Sequence, residues 1–410
     1  MFYPSDMSPV TESTAAAGSE CPVVDFDPFS DAMLDEPFAA YEELRRIAPV
    51  VKLQRYGCYM VLDYDALSIV LADWEHFSSA HGVGLDNFLH SKSWRPKSII
   101  LEVDPPDHSV TRRVLNRVLS RPAMEKMRQT FALEAAELVE ALVARGEFDG
   151  VKDLAEIYPL KVFPDAVGLN KMGRENLLAY GALAFNAACP LNHLFEKSMQ
   201  DSEQVITWIM SQCKREALTP DGLGAHVFAA VERGEVTEAE AGMLVRSLLS
   251  AGVDTTINGL GNALYCFARF PEQWRLLRAK PELARSAIDE ILRFEGAVMN
   301  FFRTTTAPVN LAGYHIPQHE KVLVPFAAGN RDPKRWPDAA KFDITRETKG
   351  HLGFGGGVHA CVGQMVARLE VELILAELLK RVENIELAGT PTRRLNNALR
   401  GLATLPLRVA

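Results

Sequence analysis

Apolar residues recur every three or four positions through most of this chain, and short apolar runs between turn residues fill the remainder. The first pattern predicts amphipathic helices over 36–47, 65–72, 132–145, 171–186 and 202–217. Runs at 50–54 and 59–62 flank Tyr56-Gly57 and predict a hairpin. Residues 80–106 hold no period and are rich in Gly, Ser, Pro and His, so a long irregular loop is predicted, a kind that is usually functional. After Pro105-Pro106, Asp107 opens a basic helix. The longest helical pattern spans 237–270, and Thr237 with Glu240 gives it a capping box. In its middle, Ala251-Gly252-Val253-Asp254-Thr255-Thr256 forms helix poorly, because Gly, Asp and Thr compete with the backbone ladder. A local rule broken inside a strong element marks a functional site. A further helix is predicted over 283–293 and another over 364–379, with extended segments at 309–311, 322–325, 385–387 and 402–409. No internal repeat is present. The expected architecture is mainly α: one large helical domain with small β-sheets over 25–410, after a flexible segment at 1–24.

The 410 residues are 48% hydrophobic and 24% charged, ordinary for a soluble globule, and the net charge is -9. That sign argues against broad binding to nucleic acid or to an anionic membrane. The first two dozen residues lack a basic stretch followed by an apolar run, and no later segment is apolar for the length of a bilayer span. A cytoplasmic protein is expected, with its six scattered cysteines reduced.

Candidate chemistry centres on Phe354-Gly355-Gly356-Gly357-Val358-His359-Ala360-Cys361-Val362-Gly363. The cysteine leaves a glycine-rich loop just before a helix, whose free N–H groups and dipole favour a thiolate. The glycines let something large and flat lie against the backbone. Such a loop can hand a sulfur anion to the metal of a haem. A buried inert thiol and a phosphate loop are the bland alternatives.

Four signatures, in order along nearly the whole chain, resemble the cytochrome P450 family. They are His108-x-x-x-Arg112, Ala251-Gly252-Val253-Asp254-Thr255, Glu290-x-x-Arg293 and the cysteine loop with Phe354 and Gly355. The resemblance implies the cytochrome P450 fold, haem b (iron protoporphyrin IX) and Cys361 as its axial metal ligand. It makes His108, Arg112, Arg303 and His359 the partners of the haem propionates. It makes Glu290–Arg293 a buried structural pair, and Asp254 and Thr255 the catalytic relay that delivers protons for the splitting of O2. A non-catalytic haem sensor would need no such relay.

The chain is also similar to the bacterial P450s that oxidise para-substituted benzoates. That likeness implies a small aromatic carboxylate substrate bound by Arg95, Ser98, Ser247 and Arg246. Leu101, Phe185, Ala251, Val298 and Phe301 would grip the ring. On a helix Ser247 lies roughly 12 Å from Thr255 at about 1.5 Å per residue, so an acid tethered there presents its para substituent to the reacting end. P450s of terpenoids, fatty acids or macrolides share the four general signatures and stay open at this point. The chain shows no flavin- or nicotinamide-binding segment, so electrons are expected from a 2Fe-2S ferredoxin with its NADH-dependent reductase. Arg112, Arg113, Arg117 and Arg121 offer a basic face for such a partner.

Overall fold

The computed structural model describes residues 18–90, 95–200 and 202–410. Its body is a helical core built on two long helices, Arg121–Arg145 and Gln364–Arg381, which pack against each other, and on Asp254–Arg269, which packs on the second of them. Arg121–Arg145 begins eleven residues before the predicted 132. Met124, Met127 and Phe131 continue the buried stripe upstream, and Pro122 sits in the first turn, where its missing N–H costs nothing. The predicted helix at 171–186 starts only at Asn176, after Gly173 with φ +80°. That at 202–217 stops at Gln212 and resumes as a short turn at Arg215–Ala217. Ile157–Val167 is a helix that the sequence hid behind Pro159 and Pro164. Pro159 falls in the first turn, and Pro164 comes just before the left-handed cap at Gly168.

The largest sheet has six strands. The predicted hairpin, Val50–Leu53 with Cys58–Val61, is antiparallel and joins Lys321–Pro325, which pairs in turn with Asn300–Thr305. Asn300–Thr305 escaped the sequence reading because both of its faces are covered and its buried residues include Arg303, Thr304 and Thr305. The extended segment predicted at 402–409 is two strands, Gly401–Thr404 and Pro406–Val409, in different small sheets. The segment expected to be flexible is ordered by its end. Ser19–Glu20 pairs parallel to Tyr314–Ile316, and Val23–Val24 pairs parallel to Val50–Leu53. Residues 1–17 lie outside the described residues. Among the described residues no helix is long and apolar enough to cross a membrane.

Candidate active site

The long helix predicted at 237–270 is in fact two, Glu238–Gly252 and Asp254–Arg269, divided at Val253 with φ -103° and ψ -61°. The capping box at Thr237 and Glu240 forms as expected. At the division the Thr256 N–H donates to Val253 O at 3.1 Å, a tightened bond over three residues. The Thr255 hydroxyl donates to Ala251 O at 2.7 Å and that of Thr256 to Gly252 O at 3.2 Å. Side chains thus satisfy carbonyls where the ladder is loosened. Gly252 is required by packing, since a Cβ there would run into the Phe163 ring.

Asp254 is buried, and burial pushes its carboxyl up to about 6, with Arg394 pulling it down and Glu156 pushing it further up. A carboxyl that titrates near neutrality can both give and take a proton there. Thr255, by contrast, is partly exposed beside the exposed Ala251. One residue faces the packed interior and the next faces an open side.

The cysteine loop closes through the Cys361 N–H, which donates to Phe354 O at 2.9 Å. Gly355 and Gly357 take positive φ, +66° and +63°, and a Cβ on Gly357 would strike Leu71 O. Burial pushes the Cys361 thiol up. The backbone N–H groups of Gly363 and Gln364, at the start of the Gln364–Arg381 helix, act against that, as do Arg112 and Arg368. The sequence argument for a thiolate therefore holds only for the helix end. Burial outweighs it, and a cation held by the sulfur would supply what is missing.

Around this loop stands a group of basic side chains. The rings of His108 and His359 lie 4.4 Å apart. Among the described residues His108 Nε2 and both ring nitrogens of His359 are buried without hydrogen-bond partners. Asp104 Oδ1 is 3.8 Å from His359 Nε2, beyond hydrogen-bonding reach. Burial, His359 and Arg112 together hold His108 down at about 4. Arg303, buried with Nη1 on Phe302 O at 2.8 Å, is lowered to about 10 by burial. Burial also lowers Arg112, which acts on Cys361. Asp104 acts on His108, Arg303 and His359, but one carboxylate does not balance this group of desolvated donors, which suits further anionic charge. Haem fits: its propionates would answer His108, Arg112, Arg303 and His359, and its iron would take the Cys361 sulfur.

Behind the loop, Glu290 and Arg293 form the buried pair that the sequence suggested. Both side chains are fully buried, with Nε to Oε2 at 2.7 Å and Nη2 to Oε1 at 2.8 Å. Arg293 also donates to the carbonyls of Asn330, Ala339 and Lys341, while Arg346 and the Asp343 N–H serve Glu290.

The substrate residues divide into two groups. Phe185 and Phe301 come together with ring centroids 6.4 Å apart, and Val298 packs in the same apolar cluster. Arg246 and Ser247 stand side by side on Glu238–Gly252, both partly buried, with the Ser247 hydroxyl donating to Met243 O at 3.0 Å. The irregular loop holds a surprise. Arg95 sets its fork on Glu102, at 2.8 and 2.7 Å, and Glu102 is 1% exposed. The Ser98 N–H adds a 2.8 Å bond to the same carboxylate, and the Ser98 hydroxyl accepts from the Leu101 N–H at 3.1 Å. Leu101 itself is exposed. The polar loop residues thus first build the loop.

Three residues of this region went unread in the sequence. Glu102 is a lone acid in a loop, where charge is ordinarily solvated. Tyr180 sits on Asn176–Asn186, the helix of Phe185; burial pushes its phenol up, and Arg246 and Arg95 both act to lower it. Gly181 is the wall against which Asp254 rests.

A family model described as Cytochrome P450 matches residues 189–408. Cytochrome P450 CYP199A2 of Rhodopseudomonas palustris is 49% identical over 402 residues, covering 98% of this chain and 97% of that protein. Cytochrome P450 107B1 of Saccharopolyspora erythraea is 33% identical over 75% of this chain and 76% of its own. Among solved structures, cytochrome P450 CREJ in complex with (4-ethylphenyl) dihydrogen phosphate superposes with a TM-score of 0.85 at 25% identity, over 94% of this chain and 99% of that one.

Proposed function

The chain belongs to the cytochrome P450 family and is a monooxygenase with haem b held by a cysteine thiolate, and from that premise we propose that it oxidises the para substituent of benzoates such as 4-methoxybenzoate. Cys361 is the axial ligand in this reading, and His108, Arg112, Arg303 and His359 take the propionates. Haem, when bound, supplies the centre at which O2 is activated by two electrons. The residues of the chain do the rest. Asp254, raised by burial to about 6, can take up and release a proton close to neutrality, and Thr255 offers a hydroxyl on the open side. Hydroxylation of a para-methoxy carbon gives a hemiacetal, which collapses to 4-hydroxybenzoate and formaldehyde.

One observation carries the substrate reading: Phe185 and Phe301 pair their rings 6.4 Å apart, and Tyr180, on the helix of Phe185, feels the positive charge of both Arg246 and Arg95, which come from a separate helix and a loop. A cationic end and an aromatic grip suit a flat ring bearing an anion. Arg95 is already forked onto Glu102. Direct contact with the substrate carboxylate therefore falls to Arg246 and Ser247, whose hydroxyl must turn from Met243 O to donate. Ser98 and Arg95 shape the wall, and Leu101, Ala251 and Val298 complete the apolar lining. The solved relative with a para-substituted phenyl phosphate supports the same kind of ligand, a para-substituted ring with an anionic head.

The reaction needs an electron donor, for which a 2Fe-2S ferredoxin with an NADH-dependent reductase, in the cytoplasm, is our reading. Arg113, on the helix Asp107–Val118, is exposed; Arg121 is exposed too but opens the next helix, Arg121–Arg145, so the basic stretch expected as one helix is divided. Arg117 is forked onto Glu235 at 2.8 and 2.9 Å, which takes part of the positive charge out of the expected dock.

Titration of the ferric enzyme tests the anion site. 4-Methoxybenzoate should shift the haem spectrum with affinity about 10- to 100-fold above its methyl ester, the worth of a charge-assisted hydrogen bond of about 1.5–3 kcal/mol. Equal affinities of acid and ester would remove the site.

A further inference from the structure

Asparagine is a costly residue in an apolar interior, because its amide must find partners there for both donors and acceptors. Asn186, Asn300 and Asn397 are nonetheless all buried. Asn186 ends the helix Asn176–Asn186 and follows Phe185; Asn300 opens the strand Asn300–Thr305 and precedes Phe301. Asn397 lies in the connection 395–400 between the paired strands Thr392–Arg394 and Gly401–Thr404. Its backbone joins the other two. The Asn397 N–H donates to Asn186 Oδ1 at 2.8 Å, and Asn300 Nδ2 donates to Asn397 O at 3.2 Å. The Asn397 side chain adds a 3.2 Å bond to Asn186 O and is itself held by Asn192 through two bonds, at 2.8 and 2.9 Å. The same connection is fixed to the strand side by the Met299 N–H on Ala398 O at 2.8 Å, and to the helix by Asn396 Nδ2 on Ala182 O at 3.3 Å. One short segment thus spans the helix of Phe185 and the strand of Phe301, with bonds on the residues next to the two rings.

We propose that this Asn186–Asn397–Asn300 bridge holds Phe185 and Phe301 at the spacing that admits a flat ring in one orientation, and so selects the para over the meta substituent for oxidation. Resting on the benzoate reading given above, the bridge supplies the stiffness of its aromatic grip. Phe185 and Phe301 touch the ring in that reading; Asn186 and Asn300 are positioning residues that act through them. Successive strand residues face opposite ways, so Asn300 fixes the strand from the side away from Phe301. Hydrogen bonds hold to a narrow range of length and angle, whereas hydrophobic attraction has no direction. Asparagines here therefore set a distance that apolar residues would leave free. A misplacement of about 1 Å costs about 100-fold in rate, and a looser grip lets the ring turn until a meta substituent points at the reacting end.

Side-chain changes at 186 and 300 cut the bridge and leave the Asn397 backbone in place. Asn397 O also accepts from Cys189 Sγ at 3.5 Å, so it keeps a partner when Asn300 is truncated. With ferredoxin, reductase and NADH, the holoenzyme's kcat/KM for 4-methoxybenzoate over that for 3-methoxybenzoate should fall about tenfold in Asn300→Ala and in Asn186→Ala. The double variant should lose about the same tenfold, because either cut opens the one bridge, whereas independent contributions would multiply to about 100-fold. Asn186→Asp keeps the accepting oxygen and should keep the ratio, which separates positioning from a loss of stability. Saturating 4-methoxybenzoate should also bring less of the haem to high spin in the alanine variants than in the parent, while their ferrous carbon monoxide spectra stay parental. Asn300→Leu fills the space of the amide without its donor, and should match Asn300→Ala where the smaller side chain leaves too little folded enzyme. Parental ratios in the variants of a para-selective parent overturn the bridge. So do multiplied losses in the double variant, or equal losses in Asn186→Asp and Asn186→Ala. A parent with no preference between the two acids overturns the benzoate reading beneath, and the bridge with it.

Discussion

Arg293→Ala should yield little or no folded, haem-loaded enzyme. Glu290 and Arg293 are sealed from water and answer each other through two hydrogen bonds. Truncating the arginine strands a carboxylate in the interior and also frees the carbonyls of Asn330, Ala339 and Lys341. Breaking a buried pair from one side costs about 3–5 kcal/mol, against about 5–15 kcal/mol for the stability of a whole domain. The loss is a large share of everything that holds the fold together. Urea unfolding and haem content check it. Arg117→Ala is the control, since its partner Glu235 is a surface residue and the pair is held in water. If Arg293→Ala retained haem and unfolded with its parent, the pair would have no structural role.

Thr255→Ala should separate electron use from product formation. The hydroxyl reaches its open position because the helix breaks at Val253, and its proton rests on Ala251 O at 2.7 Å. Alanine leaves Asp254 and the haem-facing surface in place but removes the hydroxyl at the reacting end. An unmade hydrogen bond of about 1–3 kcal/mol moves the partition between product and peroxide by about one to two orders of magnitude. NADH oxidation should continue while most electrons leave as peroxide. Equal product per NADH in variant and parent would show that the hydroxyl has no part in the relay.

Features that are local were legible in the sequence. The cysteine loop, the Thr237 capping box and the weak patch at 251–256 announce themselves through residue type and spacing. The structure realises them as a closed loop, a formed cap and a divided helix. Features that depend on distant partners were not legible. Glu102 reads as an exposed loop acid until Arg95 and the Ser98 N–H are seen around it. Gly181 reads as a weak spot in a helix until Asp254 is found against it. Asn300–Thr305 hides because a strand buried on both faces and carrying Arg and Thr shows no alternation of apolar and polar positions.

Thiolate ligation by Cys361 is the claim on which the site depends, and the ferrous carbon monoxide spectrum of the purified holoenzyme tests it most directly. The intact protein should show the strongly red-shifted Soret band of a thiolate-bound haem, lost in Cys361→Ala. A band at the shorter wavelength of imidazole ligation in the intact parent, or a parent spectrum unchanged by Cys361→Ala, would contradict it.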